Sequence, residues 1–133
     1  MIFYEKTGCT GNKKQKELLI KNGIDFETRS LLDTKWNKKT LESFFEGLEL
    51  HEIINQFAPK IKHNEIDLTT ISKDKMIELM ISEPILIKRP LIEIGTYKIC
   101  GFDIDKINNY LLTNLNPNNT ISVCQSETPC KSV

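Results

Sequence analysis

The sequence predicts a small α/β domain, and three observations carry that expectation. A short apolar run is followed by a basic helix-forming stretch and a second alternating run, which is the pattern of a β-α-β unit. Two strand-like segments flank Gly95 as an antiparallel hairpin, and an amphipathic segment closes the pattern. With 133 residues, 39% of them hydrophobic, the chain suits a single core. The expected domain spans residues 1–115 with a helical insertion at about 37–81, and residues 116–133 form a polar tail that carries cysteines.

Taken in order, Ile2–Glu5 is an apolar strand bounded by Thr7 and Gly8. A helix begins near Asn12, where residues 13–17 are strong helix formers, and Lys21-Asn22-Gly23 closes it. Residues 24–28 alternate and predict the second strand. Thr40, Ser43, Phe44 and Phe45 open a short helix, residues 49–57 fit another, and Pro59 interrupts. Residues 67–70 form a loop. Ser72 then caps a third insertion helix whose buried stripe is Met76, Ile77, Leu79, Met80 and Ile81. Residues 91–94 and 97–100 are the hairpin strands. Residues 102–112 form the last helix, capped by Asp103, with Ile104, Ile107, Tyr110 and Leu111 facing inward.

Composition excludes several function classes. The 18 basic and 18 acidic side chains cancel, which argues against a broad nucleic-acid surface but leaves room for a small anion pocket. No apolar run reaches membrane-span length, and the first residues lack the features of a secretion signal, so no membrane partner is expected and the expected compartment is the cytoplasm. There the four cysteines read as reduced, catalytic or metal-binding groups rather than a disulfide framework. Their spacings fit no familiar metal knuckle, and His51 and His63 read as solvated, so no metal is expected.

Cys9 is the foremost candidate for chemistry. It lies where the first strand hands over to a helix, facing unpaired amides and the positive end of the helix dipole, both of which favour thiolate. Gly8 and Gly11 let amides approach a bound oxyanion; Asn12 and Lys13 complete the anion-binding helix start. Cys100, at the end of a strand, reads as a small buried hydrophobe. Cys124 and Cys130 sit in the polar tail, where packing explains them poorly. Either they close a disulfide loop together or one of them resolves a mixed disulfide at Cys9.

The string of strand, Cys9, basic helix, helical insertion and Ile87-Lys88-Arg89-Pro90-Leu91 resembles the arsenate-reductase-like (ArsC/Spx) branch of the thioredoxin-fold superfamily. Phe3-Tyr4-Glu5-Lys6, Asn12, Gln15-Lys16, Phe57-Ala58-Pro59, Cys100-Gly101-Phe102-Asp103 and the tail cysteines make it most similar to the nitrogenase-associated members of that branch. The resemblance implies a thioredoxin-like fold, with a small mixed sheet, flanking helices and the helical insertion. It implies that Cys9 is the attacking nucleophile, that Arg89 holds the oxyanion or a glutathione carboxylate, and that Pro90 follows a cis peptide and shapes the pocket wall.

Two arginines of an arsenate site are missing: Asn55 and Phe102 occupy their places, exchanging guanidinium forks for an amide and an apolar ring. Asn12 stands where the regulator branch often has a second cysteine, which excludes a Cys-x-x-Cys switch. The expected function is therefore thiol-dependent reduction by a redox-active Cys9. No bound cofactor is expected; glutathione is the expected reductant, a small oxyanion is a candidate ligand, and efficient arsenate reduction is not expected. The alternative is a non-catalytic interaction or regulatory domain whose protein partner is linked to nitrogenase.

Overall fold

Successive side chains on a strand point to opposite faces, so a sheet covered on both sides needs apolar neighbours in pairs. Phe3-Tyr4 and Leu91-Ile92 are such pairs, all four buried. The computed structural model describes residues 1–113 and 115. Its strands β1 (Ile2–Glu5), β2 (Glu27–Ser30), β3 (Leu91–Ile94) and β4 (Tyr97–Cys100) form one sheet in the order β2-β1-β3-β4. β1 pairs parallel to β2 and antiparallel to β3, and β3 pairs antiparallel to β4.

The helices are α1 (Thr10–Lys21), α2 (Lys38–Phe45), α3 (Leu50–Ile53), α4 (Pro59–Lys62), α5 (Lys73–Ser82) and α6 (Ile104–Leu111). One core cluster joins Tyr4 and Leu91 to the insertion through Trp36, Leu41, Phe44, Ile53, Met76 and Met80. A second, on the other face, joins Phe3, Ile92 and Ile99 to Leu19 of α1 and to Ile104 and Ile107 of α6. The result is a thioredoxin-like α/β fold: a small mixed sheet, helices on both faces and an added helical insertion.

Several elements fall where sequence chemistry puts them. β1, β3 and β4 match their expected ranges, and Ser72 and Asp103 cap α5 and α6 by accepting from the N–H groups of Lys75 and Lys106. Other boundaries differ, three of them for a reason the structure shows. α2 starts earlier than Thr40 because Asn37 supplies its cap, accepting from the Thr40 N–H. β2 begins at Glu27, not residue 24; the alternation ahead of it belongs to a connection whose Phe26 packs 6.0 Å from the ring of Phe3. The helix expected over 49–57 stops at Ile53, because Ile54 bridges to Ile87 and the Asn55 N–H donates to the Leu86 carbonyl. Pro59 does interrupt the chain there, and it also opens α4, where its missing N–H costs nothing. The tail expected over 116–133 lies outside the described residues.

Candidate functional site

The register of β1 against β3 places Tyr4 opposite Leu91, so the chain leaving β1 and the chain entering β3 reach the same edge of the sheet. The first supplies Lys6, Gly8 and Cys9; the second supplies Arg89 and Pro90, joined by a cis peptide. Gly8 turns the chain at φ 83°, and the Cys9 N–H closes the turn onto the Lys6 carbonyl at 3.0 Å. Cys9 is then the N-cap of α1 and accepts from the Lys13 N–H through its carbonyl, while its side chain makes no capping hydrogen bond. The thiol position therefore sits at the positive end of a 12-residue helix.

Cys9 is 2% exposed and disulfide-bonded, whereas Cys100 is a free thiol. Arg89 and Pro90 are buried, and Gly11 is buried in the first turn of α1. Lys13 is exposed on that turn. Asn12 is fully buried, and its amide is committed within the protein: Oδ1 accepts from the Lys6 N–H at 3.0 Å and Nδ2 donates to Gln15 Oε1 at 3.0 Å. Asn12 thus ties the loop to the helix. Cys124 and Cys130 lie outside the described residues.

Two residues at this edge escaped the sequence reading. Lys6 is 6% exposed, a second buried cation in addition to Arg89, and Gln15 is fully buried with Nε2 unsatisfied. Gln15 was findable: Gly11, Gln15 and Leu19 recur every four residues on the buried face of α1. Nothing in the sequence marks Lys6 as buried, since that depends on what covers the end of β1.

The two positions that lack arginine are both committed to structure. Asn55 Nδ2 donates to the Ile85 carbonyl at 3.0 Å, and its Oδ1 accepts from the Phe57 N–H at 3.1 Å. Phe102 packs edge-on against Phe3 with ring centroids 6.5 Å apart. Arg89 is the only buried arginine among the described residues. No group of three or more His, Cys, Asp or Glu side chains is placed to hold a metal among the described residues, and no described helix is long and apolar enough to cross a membrane.

Comparison with known proteins identifies the lineage. The ArsC family model matches residues 4–110. The chain belongs to the ArsC family. This ArsC-family chain is 32% identical over 127 residues to an uncharacterized 15.7 kDa protein in the draG 3' region of Rhodospirillum rubrum, covering 96% of the chain and 89% of that protein. It is 26% identical over 113 residues to the global transcriptional regulator Spx of Streptococcus pyogenes, covering 84% of each. Among solved structures, an ArsC family related protein from Bacteroides fragilis superposes with a TM-score of 0.71 at 23% identity, covering 82% of this chain and 97% of that one. At that identity the superposition speaks for the fold alone.

Proposed function

We propose that this ArsC-family chain is a redox-responsive protein-interaction domain with a partner linked to nitrogenase, and not an arsenate reductase. The commitment of Asn55 and Phe102 to packing carries the reading. A multiply charged oxyanion needs several fixed donors, and this edge offers one buried guanidinium, one buried lysine and the start of a helix. Removing two guanidinium forks from an oxyanion site takes away donors that lysine, a point charge without a planar fork, does not replace.

The regulatory side of the reading draws on likeness to the Spx regulators, and the nitrogenase link draws on likeness to the draG-region protein and to the nitrogenase-associated branch. The absence of a long apolar helix among the described residues supports a site of action in the cytoplasm. The test is direct: fully reduced protein is incubated with arsenate and glutathione, and arsenite is measured. Arsenite should form at the protein-free rate. Formation that depends on Cys9 would refute the reading.

A second reading, a thiol-dependent reductase linked to glutathione, is favoured by the position of Cys9 at the head of α1 on the edge that holds Arg89 and Pro90. In it, the Cys9 thiolate attacks a sulfur of a disulfide substrate, forming a mixed disulfide and releasing one substrate thiolate. A tail thiolate, Cys124 or Cys130, then attacks Cys9 Sγ and expels the second, and two molecules of glutathione reduce the resulting protein disulfide to two thiols, leaving as oxidised glutathione. Arg89 orients the glutathione carboxylate, and the helix start receives negative charge through the amides of Gly11 and Asn12 and the Lys13 side chain. The disulfide-bonded state of Cys9 supports the resolving step.

A further inference from the structure

A cleft of about 360 Å³ on the far side of the sheet from β2 is lined along β4 by Thr96, Tyr97, Lys98 and Cys100. Neighbouring strand residues point to opposite faces, so a cleft that takes in both Tyr97 and Lys98 runs along the edge of the strand and not over a face. Its two walls confirm the placement. Phe44 and Leu48, at and beyond the end of α2, rise on one side, and Lys106 and Tyr110 of α6 rise on the other.

The backbone along this edge is open for pairing. Gly101 donates to the Pro90 carbonyl at 2.8 Å, which fixes the alternation of the antiparallel ladder. The pairs Ile92–Ile99 and Ile94–Tyr97 therefore exchange hydrogen bonds within the sheet. Lys98 and Cys100 turn their N–H and C=O groups outward into the cleft, where no described strand pairs with β4. Exposed edges of this kind accept an added strand unless something blocks them.

We infer that this groove receives an extended, alternating apolar and acidic segment of a partner protein, added to β4 as a fifth strand. Main-chain bonding to Lys98 and Cys100 would supply affinity, and the two walls would supply selectivity. Side chains directed to the α2 wall meet Phe44 and Leu48. Those directed to the α6 wall meet Tyr97 and Tyr110, stacked 4.0 Å apart, and Lys106, which has no ion-pair partner among the described residues. Lys98 lies 5.8 Å over the Phe44 ring, with Glu93 at 3.5 Å. Glu93 offsets Lys98, and Glu46, at the end of α2, is the one carboxylate in the lining, so the cation left to meet a partner's carboxylate is Lys106 on the α6 wall. A second copy fits badly, because pairing β4 with β4 brings two Lys98 side chains together on one face.

This inference deepens the interaction reading by naming where a partner docks and what its segment looks like. The test titrates the full-length protein with a capped hexapeptide of alternating Val and Glu, followed by amide NMR and hydrogen exchange. Expected are shifts confined to 96–101 and the facing ends of α2 and α6, with exchange slowed at Lys98 and Cys100 but unchanged at Tyr97 and Ile99. A Val-Lys peptide should bind more weakly, and Lys106→Glu should weaken the acidic peptide about threefold while favouring the basic one. Equal binding of both peptides overturns the inference, as does a concentration-dependent dimer that protects the same amides without peptide. Binding at the amides of residues 8–13 overturns the groove but leaves the interaction reading standing. Silence at both edges counts against both.

Discussion

The two described cysteines differ through their immediate surroundings. Cys100 ends β4, and its Sγ lies 3.8 Å from the Glu52 carbonyl, inside the cluster that holds the insertion. Burial pushes its thiol up to about 12, outweighing the opposing pull of Lys88 and Lys106. Cys9 instead caps α1 at the positive end of the helix. In the fully reduced protein, peptide-mapped alkylation at pH 7 should modify Cys9 at least about tenfold faster than Cys100. A Cys9 as slow as Cys100 would remove the chemical role and leave docking alone. The raised Cys100 value also has a sign for stability. Above the ordinary thiol range the unfolded chain releases this proton while the folded protein keeps it, so stability falls as pH rises from there toward 12. Cys100→Ala should flatten that alkaline loss in a urea-denaturation series against pH.

At the scale of elements, Asn55 is the staple that holds the insertion to the strand-entry loop. Its backbone N–H reaches Leu86, its side-chain amide reaches Ile85, and its oxygen receives Phe57. Asn55→Ala should cost about 1–3 kcal/mol in denaturant unfolding, because the Ile85 carbonyl and the Phe57 N–H lose their partner in a half-buried setting. Asn55→Arg should be destabilising too and should not create arsenate turnover, since the staple is lost while a long cation is added to a packed loop. The same residue shows where sequence reading stops. Caps such as Ser72 and Asp103 are local chemistry and were visible; the short α3 was not, because the bridge from Ile54 to Ile87 spans more than thirty positions of chain and overrides local helix preference. Site residues follow the same division. Cys9, Arg89 and Pro90 stand out by type and motif, whereas the burial of Lys6 and the locking of Asn12 depend on the register of β1 and the pitch of α1.

At the scale of the whole molecule, one four-stranded sheet separates two apolar layers, and both depend on it. Adjacent residues of β1 serve opposite layers: Phe3 belongs with α1 and α6, and Tyr4 with the insertion. The single tryptophan reports on only one of them, since Trp36 packs 5.0 Å from the Tyr4 ring and 5.9 Å from Phe44. Ile107 is fully buried in the other layer. Ile107→Ala should cost roughly 2–5 kcal/mol by opening a cavity beneath α6. If the sheet couples the layers into one cooperative unit, the urea midpoint followed by Trp36 fluorescence must fall as far as that followed by far-ultraviolet circular dichroism. A fluorescence midpoint that stays put while the dichroism midpoint drops would mean that the layers unfold separately. The prediction is a common shift, because a strand stripped of its α6 cover exposes Phe3, Ile92 and Ile99 along the same backbone that positions Tyr4 and Leu91 for the other layer.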